Sequence, residues 1–589
     1  MPPTAVTRKG GEWLIPEEAS GEIFTPELLS DEHRLIGQTA SEFVRSEVLP
    51  ALGELEQKNW TLARALLKRS GDLGLLGTDV PERLGGVGLD KVAAIVVGEA
   101  VGPCAGFATA FGAQTGLAII PLLCFGTESQ QQQYLPRIVS GELVGAYCLS
   151  ESGSGSDALG ARARATRQPD GSWLLNGEKM WTTNGGFADV FIVFAKVDGE
   201  AFSAFIVERS FPGVTIGHEE HKMGLRSSST TPVVLQDAKV PAANLLGQIG
   251  KGHKIAFNVL NYGRFKLAGM CTGGAKAAIA EATRYALTRR QFGQPIATFG
   301  AIRHKLAQMT IEAYGVESML YRTAGLLDQA IGSAGHDAAT LAAALEEFAV
   351  EASLLKVAGS EMLDFVLDEN VQIHGGNGFV SDYPAERHYR DARVNRIFEG
   401  TNEINRLLVP SQLVKRALKG DLALVGAARA LRDDLLTPKV QGEANEPLAT
   451  ELRTVAALKK TAVLVLGLAM QTYGEALPHE QEVLMLASDL IMDAFEAESA
   501  TLRAAQAGQA NLPAATLQAD AAAVFTHDAG MRAEARARTA IAAMTAGDEQ
   551  RTMLAALRRI VKVGVVDTIA ARRRIATAVC DHAKYVFAS

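Results

Sequence analysis

The run Asp189-Val-Phe-Ile-Val-Phe-Ala195 decides the architecture: its β-branched and aromatic residues predict a strand inside a chain that otherwise reads as helix. Two similar runs stand close by, Phe202-Ser-Ala-Phe-Ile-Val207 and Pro232-Val-Val-Leu235, and Pro-Asp-Gly, Asn-Gly and Phe-Pro-Gly turns punctuate the region. Residues 146–245 are therefore expected to form a compact middle β domain, large enough to fold alone. Upstream, residues 31–145 read as a helical domain. In Glu32-His-Arg-Leu-Ile-Gly-Gln-Thr-Ala-Ser-Glu-Phe-Val44 the apolar residues fall three and four apart, and turns are expected at 81–86 and 126–128. Residues 1–30 lack periodicity and read as an extended arm. Downstream, residues 246–418 carry three helical stretches, 257–290, 301–332 and 338–372. At ~1.5 Å per residue each would span ~45 Å, the size of a long helical bundle. Residues 419–589 form an Ala-rich helical extension joined by a polar, proline-bounded link at 437–447, expected to be a surface loop.

The chain of 589 residues is too long for one ordinary core. A net charge of -8 without a long basic tract speaks against nucleic-acid binding. Five scattered cysteines form neither a disulfide framework nor a paired metal site, and fit a reducing compartment. The acidic N-terminal stretch resembles neither a signal nor a transit peptide, and the longest apolar run is read near 461–470, half of what a bilayer needs. These features predict a cytoplasmic protein.

Four stretches carry chemistry. Gln372-Ile-His-Gly-Gly-Asn-Gly-Phe379 places three glycines after a helical pattern, which reads either as a helix end or as backbone approaching a phosphate or ribose. In Arg396-Ile-Phe-Glu-Gly-Thr-Asn402, Glu399 reads either as a base at a pocket rim or as a carboxylate in the first turn of the next helix. Tyr147-Cys-Leu-Ser-Glu-Ser-Gly-Ser-Gly-Ser-Asp157 fits G-x-G-x-x-A through Gly153, Gly155 and Ala158. The residues after Ala158 do not continue as a βαβ unit, so a Rossmann domain is not expected. With Lys179-Met-Trp-Thr-Thr-Asn-Gly-Gly186, this loop suits a flat cofactor ring, although Trp181 could equally fill a β core. His218-Glu-Glu-His221 has the wrong spacing for a zinc site and reads as a solvated edge, and no metal is expected.

These stretches, together with Arg289-Arg-Gln-Phe-Gly293, resemble the acyl-CoA dehydrogenase family over about residues 30–415. With Asn261-Tyr-Gly-Arg-Phe265 and the C-terminal extension, the chain is most similar to the very-long-chain branch. The resemblance implies a mainly α fold: an N-terminal helical domain, a small β-barrel-like middle domain, a four-helix bundle and the extra helical domain. It also implies FAD as cofactor, fatty acyl-CoA as substrate, trans-2-enoyl-CoA as product, an electron-transferring flavoprotein as redox partner, and a homodimer.

Residue by residue, Glu399 matches the catalytic base. Tyr147, Leu149, Ser150 and Ser156 match the loop lining flavin and substrate, and Trp181 and Thr183 lie against the flavin ring. Arg289 and Phe292 match contacts to the neighbouring subunit's FAD. Gln372, Gly375 and Gly376 belong to its adenosine-side loop, and Thr401 and Glu403 match flavin contacts after the base. Arg264 and Gly400 match the substrate cavity, with Ser156. The family stabilises the developing enolate with a ribityl hydroxyl and the backbone N–H of the base, each such donor being worth ~3–4 kcal/mol of barrier. Some members carry the base just before the arginine matched by Arg264. Here that position is Gly263, which leaves Glu399 as the base and opens room for a long chain, as do Ala110, Gly112 and Gly116. The segment 419–434 is short and of mixed charge, which speaks against the membrane attachment seen in this branch. Two other readings stand beside the dehydrogenase: an acyl-CoA oxidase using oxygen, and a non-catalytic scaffold of the same fold.

Overall fold

The computed structural model describes residues 9–15, 21–332, 337–435 and 448–587. The expected surface link at 437–447 lies outside the described residues, as does much of the expected arm.

The strand Val190–Val197 is the centre of an eight-stranded sheet. It pairs antiparallel with Ala201–Glu208 on one edge, and parallel with Gly145–Cys148 and Arg164–Arg167 on the other. Beyond Arg164–Arg167 come the strands Trp173–Thr183, Thr230–Val240 and Val214–Ile216. All six residues from Val190 to Ala195 are buried. Val190, Ile192 and Phe194 join the core shared with the bundle. Phe191, Val193 and Ala195 join a second core with Phe43, Leu67, Phe107 and Phe111 of the N-terminal helices. Cover on both faces explains why the run is continuously apolar instead of alternating.

The N-terminal helices include Asp31–Phe43, Trp60–Asp72, Lys91–Val101 and Glu128–Val139. Between the last two, Ala105–Phe125 is a helical stretch long and apolar enough to cross a membrane by composition, with 78% of its apolar window buried inside the protein. This corrects the choice of 461–470 as the longest apolar run. Gln114 and two threonines interrupt the run in sequence, but Gln114 is spent internally. Its amide donates to the carbonyls of Ile138 and Leu143 (2.8 Å each) and accepts from Gly145 N–H (2.7 Å), tying this helix to the first strand.

The bundle comprises Gly252–Thr288, Gly300–Ile331, Ala349–His374 and Asn402–Lys419. The expected helix at 338–372 is two helices, Ala338–Glu347 and Ala349–His374, broken at Phe348. The Glu347 carbonyl accepts from Arg416 (3.0 Å), and its carboxylate accepts from Gly10 N–H (2.8 Å). Glu351 accepts from Gly11 N–H (2.6 Å) and the Trp13 indole (3.0 Å). Residues 9–15 are thus docked at this break, with Trp13 and Leu14 buried, and are not an extended arm.

The extension (Ala449–Tyr473, Gln481–Gln509, Ala515–Met544, Gly547–Ile560, Thr568–His582) packs against the second bundle helix. Buried charges hold this contact. Arg503 reaches Glu317 (2.6 Å) and Glu27 (2.7 Å), and Glu498 accepts from Arg322 and Lys459 (2.8 Å each).

Candidate functional site

After a short turn at Arg393–Arg396, two consecutive residues adopt left-handed backbone, Glu399 (φ 58°) and Gly400 (φ 78°). Glycine does this freely, whereas for glutamate it is a strained choice of the kind concentrated at functional sites. Thr401 then caps the helix Asn402–Lys419 by accepting from Ile404 N–H (3.3 Å). Glu399 therefore precedes the cap, and the acid in the first turn is Glu403. Asn405 holds the reversal by donating to the carbonyls of Glu399, Gly400 and Thr401 (3.3, 2.8 and 3.0 Å). Arg264 Nε also donates to the Glu399 carbonyl (3.0 Å), and its Nη1 to Asn261 (3.0 Å). The backbone N–H of Glu399 donates to no backbone group among the described residues.

The Glu399 carboxylate lies over Gly263. A Cβ there would stand 2.7 Å from Oε2 and 2.9 Å from Cδ. Oε2 is enclosed without a hydrogen-bond partner, and so is the hydroxyl of Tyr147. Desolvation pushes the Glu399 carboxyl up to about 7, against the opposing pull of Arg264 and Lys356. Burial lowers Arg264 to about 10 and Lys356 to about 8, with the Glu399 charge opposing both shifts. Tyr147 is raised by burial and then by Glu399.

The loop after the first strand is fixed from below. Lys179 is buried, bonded to Glu151 (2.6 Å) and the Leu149 carbonyl (3.2 Å), while Glu151 accepts from the N–H groups of Arg162 and Ala163 (2.6 and 3.1 Å). Met180 N–H donates to Ser150 (2.9 Å), which brings the two loops side by side. Between Lys179 and Thr182 the strand slips register, and Trp181 (φ 55°) is turned outward, 58% exposed. Bulges re-aim side chains in this way. An outward indole beside Ser150, exposed Ser156 and half-buried Thr183 fits a flat, hydrogen-bonding cofactor, and sets aside the buried-core reading of Trp181. Leu149 is buried beneath the loop.

The remaining residues singled out in the sequence lie elsewhere. From Gly263 to Arg289 the first bundle helix rises ~39 Å at ~1.5 Å per residue. At that far end Arg289 is exposed, and Phe292 (φ 52°) is 93% exposed on a two-stranded hairpin. Tyr285 stacks on His374 (centroids 4.1 Å apart) and donates to its carbonyl (3.2 Å), so Gln372, Gly375 and Gly376 share this end. A Cβ on Gly375 or Gly376 would meet nothing within 4 Å, and Gln372 is exposed. The predicted residues thus form two groups. Tyr147, Arg264, Gly400, Thr401 and Glu403 gather around Glu399, with the Trp181 loop reached through Tyr147. Arg289, Phe292, Gln372, Gly375 and Gly376 stand apart.

Two of the small residues read as bordering the acyl tunnel face side chains of the first bundle helix. A Cβ on Gly112 would lie 3.1 Å from the flexible end of Met270, and one on Gly116 3.6 Å from the Tyr262 ring, an ordinary contact distance. In the His218-Glu-Glu-His221 stretch, Glu219 accepts from the Ser229 hydroxyl (2.6 Å) and Thr230 N–H (2.9 Å). Among the described residues no cluster could hold a metal. Sequence reading missed Asn405, Asn402 and Lys356. Lys356 carried a signal, a single cation inside the apolar helical run 354–357, buried and donating to Asn402 Oδ1 (2.7 Å).

Models of acyl-CoA dehydrogenase domains match the chain in order: N-terminal at residues 30–142, middle at 146–238 and C-terminal at 250–414, with a further C-terminal domain at 457–559. A protein of Bacillus subtilis (strain 168) described as a probable acyl-CoA dehydrogenase is 44% identical over 590 residues, 99% of both chains. The very long-chain specific mitochondrial acyl-CoA dehydrogenase of Rattus norvegicus is 41% identical over 62% of this chain and 55% of its own. The crystal structure of an acyl-CoA dehydrogenase complexed with FAD from Bacillus anthracis superposes with a TM-score of 0.96 at 45% identity, covering 98% of this chain and 100% of that one.

Proposed function

The chain belongs to the acyl-CoA dehydrogenase family, and from that premise we propose that it desaturates fatty acyl-CoA thioesters between the α and β carbons, with Glu399 as the base. The observation that carries the proposal is an enclosed carboxylate with an unpartnered oxygen among the described residues, whose burial favours uptake of a proton. FAD, the cofactor of the family, supplies the acceptor for the β-hydride when bound. Ser150, Ser156, Trp181 and Thr183 are the residues proposed to hold its ring. Glu399 Oε2 would take the α-proton as the β-hydride leaves to that acceptor, the two losses together giving trans-2-enoyl-CoA. The Glu399 N–H, with no backbone acceptor among the described residues, is held in place by Arg264 and Asn405, which both bond the Glu399 carbonyl, and is available to the thioester oxygen as charge develops there. Arg264 and Lys356 keep the carboxylate ionisable once the acyl chain excludes water.

The proposed setting is a cytoplasmic homodimer passing electrons to an electron-transferring flavoprotein. The exposed far-end group, ~39 Å along the helix from Gly263, suits contact with a cofactor held by a second copy. Five free cysteines, none paired, suit a reducing compartment. Long chains are proposed as preferred, on the likeness to the rat relative, and a tail running past Gly112 would displace the flexible Met270 thioether. Anaerobic addition of short-, medium- and long-chain acyl-CoA to the yellow holoprotein tests the whole reading. Bleaching of the flavin absorbance, strongest with long chains, is expected. Failure to bleach with every chain length overturns it.

A further inference from the structure

The extension reaches the base helix through a continuous line of polar contacts. Arg406, one turn into that helix, donates from Nε to Asp489 Oδ1 (2.7 Å) on the extension helix Gln481–Gln509. Its Nη1 and Nη2 grip both oxygens of Glu361 (2.6 and 2.8 Å) on the third bundle helix. Glu361 Oε1 also accepts from Asn402 Nδ2 (2.9 Å), and Asn402 Oδ1 accepts from Lys356. Behind Asp489, Arg536 reaches both Asp489 (3.4 Å) and Asp493, and Arg532 reaches Asp493 (3.0 Å).

We propose that the C-terminal extension supports the active site, with Asp489 acting through Arg406 and Glu361 as a positioning residue for the Glu399 loop. Asn402 is the first residue of the base helix and stands three residues after Glu399, across the left-handed Gly400 and the capping Thr401. That stretch has little slack, since Asn405 binds three of its carbonyls. A shift of Asn402 is therefore passed to the carboxylate. The Arg406 guanidinium is a rigid fork whose three engaged nitrogens have fixed directions. With Asp489 removed, one arm is released and the fork turns, taking Glu361 and Asn402 with it. Displacements near 1 Å cost reacting geometry about 100-fold, so a partial loosening is expected to cost about tenfold.

The proposal rests on the reading of Glu399 as base, and two measurements on the full-length holoprotein separate them. The first is hydrogen–deuterium exchange in the peptide covering 397–408, which does not depend on turnover. Asp489→Ala is expected to speed exchange there as well as in 481–509. The second is the rate of anaerobic flavin bleaching, expected to fall about tenfold at saturating acyl-CoA with half-saturation changed less than about twofold. Asp489→Glu is expected to restore both in large part. Asp489→Leu refills the space without an acceptor and carries the same comparison if the alanine variant does not fold. Exchange speeded only in 481–509, with wild-type bleaching, overturns the proposal. Faster exchange in 397–408 of a protein that no acyl-CoA bleaches overturns the base reading and leaves the coupling standing.

Discussion

Glu399 and Phe292 are both non-glycine residues in left-handed backbone, φ 58° and 52°, at opposite ends of one bundle, and their surroundings differ in every other respect. Around Glu399 the chain closes on itself. Asn405 and Arg264 bind its carbonyl, Gly263 lies against its carboxylate, and two buried cations act on its charge. Phe292 is 93% exposed, and nearby Gly375 and Gly376 face open space. A strained residue inside a closed network is positioned by its own chain. A strained residue on an open face is not held by side chains of its own chain. The contrast agrees with the chemistry proposed for the near end and the subunit contact proposed for the far end.

The comparison breaks if chemistry survives loss of the near-end carboxylate. Glu399→Gln is expected to keep the flavin colour and to lose about 100- to 10,000-fold in the rate of anaerobic bleaching, the span of general-base catalysis. A fully active variant would falsify the assignment. Gly263→Ala is expected next in size, a loss of about 100-fold with normal cofactor content, because the new Cβ forces the carboxylate aside. Arg289→Ala sharpens the contrast from the other end. It should weaken FAD retention about tenfold, as for a lost hydrogen bond to a charged group, with the pH profile of bleaching unchanged. A shifted profile would mean that the two ends are not separate.

The smallest effects are those of pH. Because Glu399 must be ionised to act and its carboxyl sits at about 7, bleaching in wild type is expected to rise with pH and level off above 7. Lys356→Met removes a charge that favours ionisation, so that limb should move to higher pH. The same group gives a stability signature. Its folded value lies above its unfolded one, so its contribution to stability is present below 4.5 and lost as pH rises towards 7. The melting temperature of Glu399→Gln relative to wild type should therefore rise across that window and stay level above it.

How much of this is legible in the sequence depends on the range of the interaction. The strand at 190–197 announces itself because both its faces are apolar, and the bundle helices do so by length. The break at Phe348 is invisible, since it is imposed by Arg416 and by backbone N–H groups of Gly10 and Gly11, far away in sequence. Glu399 stands out locally by its Phe-Glu-Gly setting, but its separation from the helix start depends on backbone angles that residue types leave open. Gly112 and Gly116 are silent in another way: a small residue does not say which neighbour it faces, and here the neighbours are Met270 and Tyr262. Asp489 could not be found at all, because an acid on an Ala-rich helix looks solvated until the base helix is laid against it.

The contact between Gly263 and the Glu399 carboxylate also bears on descent. The two positions compete for one volume, so a carboxylate cannot simply be added on the first bundle helix while the one at 399 remains. A lineage moving its base from one helix to the other must pass through an ancestor that is either overcrowded or without a base. Such a crossing needs paired substitutions or a period of relaxed selection.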